Sequence, residues 1–371
     1  MTASSVTPIP AAADEIWYSR CPTPTTFGLA VRLGHFEKGF FAAQNLRWLT
    51  LQQSPDPATQ RAHFTHAKSR CFRHGGNVPP IWARSEGAET RLIGLSWMRT
   101  PQPILAMPQS GISNVSDLRG KRLLVMTRPE SEIDFWQAVT LRAYEAALAT
   151  VGMSFDDVTL VRVPSGRPDA VRVESDARNP KSLWPLQAML ALNRETMLPL
   201  IRGEVDAVVS QGHNAIQLAA LLGANIIFDQ GALPDPRARI NNDVPDALTV
   251  SADLLDRDPD IVVAVLRALL ETEEWALAHE IEAVRLLATE LNISEQLMNI
   301  AYGGGIGLGA ALDLSVERVA AIVSQKEFLL RHGFVTRDFD MERWVDPRPL
   351  DAARKLMAAH TPVSTVGATT A

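Results

Sequence analysis

The sequence predicts an α/β protein in two lobes with a ligand cleft between them. Short β-like runs alternate with longer helical patterns from Tyr18 onward, the arrangement of a mostly parallel sheet covered by helices. At 371 residues the chain is longer than one compact core usually holds and suits two lobes. Apolar residues make up 46% and charged residues 21%, the content of a chain that folds throughout its bulk.

The elements follow in order. Residues 26–44 space Leu29, Leu33, Phe36, Phe40 and Phe41 at helical intervals, ahead of a strand at 46–52. Runs at 79–83 and 91–98 lead into 101–107, and the polar text 114–121 precedes a strand at 122–126, where the chain is expected to cross lobes. A helix of about five turns fits 134–151, followed by a strand at 158–163. The polar, proline-flanked stretch 166–182 reads as a long surface loop able to order around a ligand. A helix ending at 197–203, a strand at 205–210 and a helix at 214–222 complete the second lobe, and 226–229 returns as another strand. The last third is helical, at 261–287, 293–301 and 315–333, with a Thr/Ala-rich tail at 362–371 that has little to bury. This predicts one lobe from residues 1–115 plus 225–371 and a second from 116–224. The glycines at 303, 304, 305, 307 and 309 follow a helix rather than a strand, so they lack the setting of a phosphate loop.

Several function classes drop out. Thirty-six basic against 42 acidic side chains give a net charge of −6, which removes the long-range attraction to phosphate that a nucleic-acid binder uses. The longest apolar stretches, 215–228 and 261–270, are interrupted or short, and no membrane span is expected. The N-terminus has neither a basic start nor the apolar run of a secretory signal, which points to the cytoplasm. There, Cys21 and Cys71 are expected to be free thiols.

Reactive side chains concentrate in one segment. His63, His66, Cys71, Arg73 and His74 lie within twelve residues and are followed by Gly75 and Gly76. A solvated loop is one reading. A zinc site is another, because His63, His66, Cys71 and His74 supply nitrogen and sulfur ligands, although Arg73 beside a dication is electrostatically costly. A third is an anion cradle, in which the Arg73 guanidinium and the amides at Gly75 and Gly76 meet a small oxyanion.

Three stretches carry a resemblance: Tyr18-Ser19-Arg20-Cys21-Pro22-Thr23-Pro24, His63-Phe64-Thr65, and Arg73-His74-Gly75-Gly76-Asn77-Val78-Pro79-Pro80. Together they resemble the aromatic sulfinate desulfinases of microbial dibenzothiophene desulfurisation, which convert 2′-hydroxybiphenyl-2-sulfinate and water into 2-hydroxybiphenyl and sulfite. The resemblance runs from about residue 16 to 350 and implies a catalytic trio of Cys21, His63 and Arg73. It further implies substrate contacts from Phe64, Trp136 and Trp184, beside the anion cradle read at Gly75 and Gly76. More broadly, residues 115–126 and 203–210 are similar to the solute-binding proteins of sulfonate and taurine importers, which implies a two-lobed fold like the type II periplasmic-binding proteins.

The resemblance implies a hydrolase acting on a carbon–sulfur bond, a reaction that needs no cofactor because no electrons pass to a carrier, and a monomeric, cytoplasmic protein is expected. A non-catalytic receptor for a sulfonate or other small organic anion is the alternative. Against it stand Cys21, for which a receptor has no need, and the absence of a signal-like N-terminus. His66, Cys71 and His74 stand where the family pattern leads us to expect aromatic side chains, implying a more polar pocket. Cys21 could protonate the ring or attack sulfur, and an imidazolium at His63 would lower its pKa below the ~8.5 of free cysteine. Cys71 reads as a bystander.

Overall fold

The computed structural model describes residues 6–165, 186–303 and 311–360. The loop expected at 166–182, Trp184, the glycines at 304–309 and the tail at 362–371 lie outside the described residues.

The described strands, in chain order, are β1 (Glu15–Arg20), β2 (Arg47–Thr50), β3 (Cys71–Gly75), β4 (Thr90–Ser96), β5 (Pro103–Ala106), β6 (Arg122–Thr127), β7 (Thr159–Pro164), β8 (Val208–Val209), β9 (Asn225–Asp229) and β10 (Asp246–Ser251). The first sheet runs β2-β1-β3-β10-β4. In it β1 is parallel to β2 and β3, whereas β10 is antiparallel to both of its neighbours, β3 and β4. In a second sheet β5 sits antiparallel between β8 and β9, and β6 pairs in parallel with β7. A parallel bridge from Leu123 to Ala207 joins these two ladders. The architecture is the two-lobed α/β form that the sequence predicts. Strands β5 and β9, far apart in the chain, are thus neighbours in one sheet. Short apolar runs such as Pro-Ile-Leu-Ala do not carry the identity of their partner.

Local chemistry explains the elements. The aromatic text of β1 and β2 feeds a cluster of Ile16, Tyr18, Phe27, Phe36, Phe41 and Phe72, with Trp48 stacked on Phe36 at 4.5 Å. The helix expected over 26–44 is broken: Thr26–Arg32 ends before Gly34, whose φ of 69° suits glycine, and a separate helix forms at Gly39–Ala43. The long helix expected over 261–287 is likewise two, Pro259–Ala278 and Glu280–Leu291, parted at His279. The segment 63–74, readable as a solvated loop, instead spans the end of the helix Pro57–Thr65 and most of β3. Asp56 caps that helix by accepting from the amides of Ala58 and Thr59, with Pro57 in its first turn. Among the described residues no helix is long and apolar enough to cross a membrane.

Candidate active site

Strand direction assembles the site. Ser19 pairs with Arg73 and Arg20 with His74, so Cys21, one residue past the end of β1, is level with the end of β3. Its amide donates to the His74 carbonyl at 3.2 Å. Crevices outside the carboxyl ends of parallel strands are where open α/β sheets take ligands. Because β10 runs the other way, it delivers its amino end to the same edge, with Asn242, Asp243 and Asp246. The helix Pro57–Thr65 places His63 in its last turn, facing the end of β1.

The Arg73 guanidinium is held on three sides. It donates from Nε to the His63 carbonyl (3.1 Å), from Nη1 to the Gly76 carbonyl (2.8 Å) and from Nη2 to Cys21 Sγ (3.4 Å). Cys21 Sγ lies 3.9 Å from His63 Nε2, and His63 Nδ1 pairs with Ser19 Oγ. Burial pushes the Cys21 thiol up to about 11; Arg73 and the Gly76 amide oppose this shift, and the nearby carboxyls of Asp243 and Asp246 add to it. Burial, then the charges of Arg73 and His66, push His63 well below the ordinary imidazole range. At neutral pH the pair is therefore a thiol beside a neutral imidazole. The sequence expectation of an imidazolium that acidifies Cys21 is reversed, because desolvation disfavours both charged forms.

These groups line a cavity of about 170 Å³. Phe64, Phe135 and Trp136 form an aromatic wall, with Phe64 and Phe135 stacked at 6.1 Å and Phe135 against Trp136 at 4.9 Å. The helix Phe135–Ala149 presents two of these rings from its first turn, where Asp134 caps it by accepting from the Gln137 amide. Arg128 lies over the Trp136 ring at 5.4 Å. The remaining wall is polar: Gln211, His213, Asn214 and Tyr302, with His213 Nδ1 3.1 Å from the Tyr302 hydroxyl, and Asn242 and Asp243 at one end.

A family model described as NMT1/THI5 like matches residues 35–176. The chain is 26% identical to 2′-hydroxybiphenyl-2-sulfinate desulfinase from Rhodococcus erythropolis, over 92% of this chain and 94% of that protein. The match to the protein of that name from Rhodococcus qingshengii is equal. The resemblance to the desulfinases holds along nearly the whole chain. Among solved structures, a mutant of DSZB in complex with biphenyl-2-sulfinic acid superposes with a TM-score of 0.72 at 24% identity, covering 92% of this chain and 99% of that one. The periplasmic aliphatic sulphonate binding protein SsuA from Escherichia coli does so with a TM-score of 0.63 at 14% identity, covering 90% and 92%. At such identities the superpositions speak for the fold alone, and that fold is the two-lobed binding-protein type.

Of the residues that the sequence singles out, Cys21, His63, Phe64, Arg73 and Trp136 meet at the cavity. Gly75 and Gly76 stand behind it rather than lining it. A Cβ on Gly75 would fall 2.3 Å from Cys21 Sγ, and one on Gly76 would fall 2.1 Å from Asn242 Nδ2, so both glycines permit close packing. The Gly76 amide lies close enough to the Cys21 sulfur to oppose the thiol's upward shift. His66, Cys71 and His74 do not line the cavity, so the polarity expected from them has other sources. Alternation along β3 sends His74 to the face opposite Arg73, where Nε2 meets Ser96 Oγ at 3.2 Å. His66, in the left-handed conformation at φ 54°, turns its Nδ1 to the Phe64 carbonyl. The four zinc candidates thus diverge, and no metal-holding cluster occurs among the described residues. Ser19, Arg128, Phe135, His213, Asp243, Asp246 and Tyr302 escape a sequence reading. Of these only Phe135, next to Trp136 at a capped helix start, carries a local signal.

Proposed function

We propose that this protein is a desulfinase that hydrolyses the C–S bond of an aromatic sulfinate and releases sulfite, with Arg73 holding the sulfinate, Cys21 as acid and His63 as its partner. The observation that carries this reading is a half-buried thiol held between a guanidinium and a neutral imidazole at the wall of a cavity faced by three aromatic rings. Whole-length similarity to the desulfinases supports the same reading.

An aryl sulfinate is an anion at neutral pH, and Arg73 has N–H groups beyond the three already used to meet it. With the thiol protonated, the chemistry favours proton delivery from Cys21 to the ring carbon that bears sulfur. The ring's π electrons form the new C–H bond, the C–S bond then breaks with its electron pair returning to the ring to restore aromaticity, and sulfur leaves as sulfur dioxide. Water adds to sulfur dioxide, giving hydrogen sulfite and the proton that restores the thiol. Sulfinate and water thus become arene and hydrogen sulfite with no electrons exchanged with a carrier. The transient Cys21 thiolate is stabilised by Arg73 Nη2 and the Gly76 amide, the two groups that already oppose the thiol's shift. His63, neutral and fixed through Nδ1 by Ser19, orients the sulfur.

A cavity of about 170 Å³ compares with the ~150 Å³ that receives benzene in an engineered protein. Benzenesulfinate therefore belongs beside 2′-hydroxybiphenyl-2-sulfinate in the assay. Sulfite release from either, abolished by Cys21→Ser, is the expected result. Tight binding without sulfite from any aryl sulfinate would instead mark a receptor. A monomeric, cytoplasmic protein completes the proposal, checked by sedimentation and by fractionation of the producing cells.

A further inference from the structure

The described mechanism leaves two buried carboxyls unused. Asp243 is 8% exposed and lines the cavity, and Asp246 is 2% exposed at the start of β10. Asp243 Oδ1 accepts from Asn242 Nδ2 at 2.5 Å. Asp246 Oδ2 has only a long contact from Thr23 Oγ1 at 3.4 Å, and its Oδ1 is buried with no hydrogen-bond partner among the described residues. A fully ionised pair here would be two desolvated like charges with little hydrogen bonding, which is strongly disfavoured.

The surroundings make the pair relevant to an anion. Arg73 from β3 is the cation that acts on both carboxyls, while Cys21 lies close enough to feel both. Tyr302 from the helix Glu295–Tyr302 faces them as well. The cavity they share also holds His63, His213 and Arg128. With one proton on the pair, its single charge is balanced by Arg73. A bound sulfinate adds a further negative charge against the same guanidinium.

We infer that Asp243 and Asp246 form a proton-holding carboxyl pair that takes up one proton from solvent when an aryl sulfinate binds, so that the anion meets Arg73 beside a neutral pair. This rests on the desulfinase reading and adds to it a substrate-positioning acid. Burial pushes Asp243 up to about 6 and Asp246 well above the carboxylate range, with the charge on Asp243 adding to the second shift. The two protons are therefore lost in separate steps, and the pair keeps one of them at neutral pH.

Calorimetry tests it, with benzenesulfinate and the Cys21→Ser protein, in which turnover is expected to be lost. Measured at pH 7.5 in phosphate and in Tris, the heats give the protons taken up per sulfinate bound. Close to one proton is expected for Cys21→Ser and close to none for Cys21→Ser/Asp243→Asn. Affinity should fall about tenfold from pH 7 to 8 in the first and stay within twofold in the second. Sulfinate binding by Cys21→Ser without proton uptake overturns the inference while leaving the desulfinase reading intact. So does uptake that persists in the double variant, which would place the proton on His63 or His213. If Asp243→Asn does not fold, the Cys21→Ser measurement still decides, and Asp246→Asn serves as the second variant. If Cys21→Ser binds no aryl sulfinate and the unaltered protein releases no sulfite, both readings fall.

Discussion

The two cysteines occupy opposite ends of neighbouring parallel strands, and their surroundings differ far more than their acidity. Cys21 follows the carboxyl end of β1, whereas Cys71 opens β3. Burial pushes both thiols up, Cys71 further than Cys21. Cys21, however, faces Arg73, His63 and the cavity. Cys71 donates to the Phe72 carbonyl at 3.5 Å and borders a void of about 10 Å³ with Lys68, Thr249 and Ser251, barely room for one water. The lesson is that a thiol's position on the sheet edge, rather than its own pKa, decides whether it can meet a substrate.

Substitutions can break or sharpen this contrast. The largest expected effect is from Cys21→Ser, which should lower the rate of sulfite release by about 10²–10⁴-fold, as loss of a positioned proton donor does. Arg73→Lys loses the planar fork that bonds His63, Gly76 and Cys21 together. A cost of about 2–5 kcal/mol, read as kcat/KM for sulfite release, is expected. Gly75→Ala would press a methyl group against Cys21, and thermal melts should show about 1–3 kcal/mol of lost stability together with a loss of turnover. His63→Gln should lower kcat more than it raises KM, because His63 orients the sulfur without meeting the sulfinate. Cys71→Ser should leave turnover within a few-fold of the parent. Equal losses from the two cysteine substitutions would break the contrast.

The pH dependence of alkylation sharpens it. A thiol raised to about 11 is almost wholly protonated at pH 7, and only the thiolate reacts. In Cys71→Ser protein, the rate of Cys21 modification by iodoacetamide should keep climbing, about tenfold per pH unit, beyond pH 9. A plateau near the ~8.5 of free cysteine would show a normal thiol and remove the case for Cys21 as an acid.

Much of the site is legible in the sequence because it lies in two short motifs. The motif ending in Cys21 closes one parallel strand, and that beginning at Arg73 closes the next, so their juxtaposition follows from adjacent parallel pairing. The rest depends on β10. Nothing near Asp243 or Asp246 marks them as neighbours of Cys21, since the strand that begins at Asp246 pairs some 170 positions away in the chain, with β3. Strand β3 itself is hidden because Cys-Phe-Arg-His-Gly lacks an apolar face of its own: Arg73 is buried by its three hydrogen bonds rather than by hydrophobicity. The zinc spacing fails for a related reason. It treats 63–74 as one flexible loop, whereas a helix end and a pleated strand send those side chains to different faces. The breaks at Gly34 and His279 escape periodicity because the apolar spacing continues across them.

The antiparallel insertion of β10 also bears on how the protein is made. During synthesis β3 leaves the ribosome long before β10, on the order of ten to thirty seconds earlier at ordinary elongation rates. Until then one edge of β3 has no hydrogen-bonding neighbour, and the whole second lobe is translated in the interval. An unpaired edge beside the aromatic cluster of Phe27, Trp48 and Phe72 is an invitation to wrong pairing. Arg73 and His74, polar residues at the middle of that waiting strand, make it a poor template for aggregation in the nascent chain. The side chains that equip the finished cleft thus also guard the unfinished sheet.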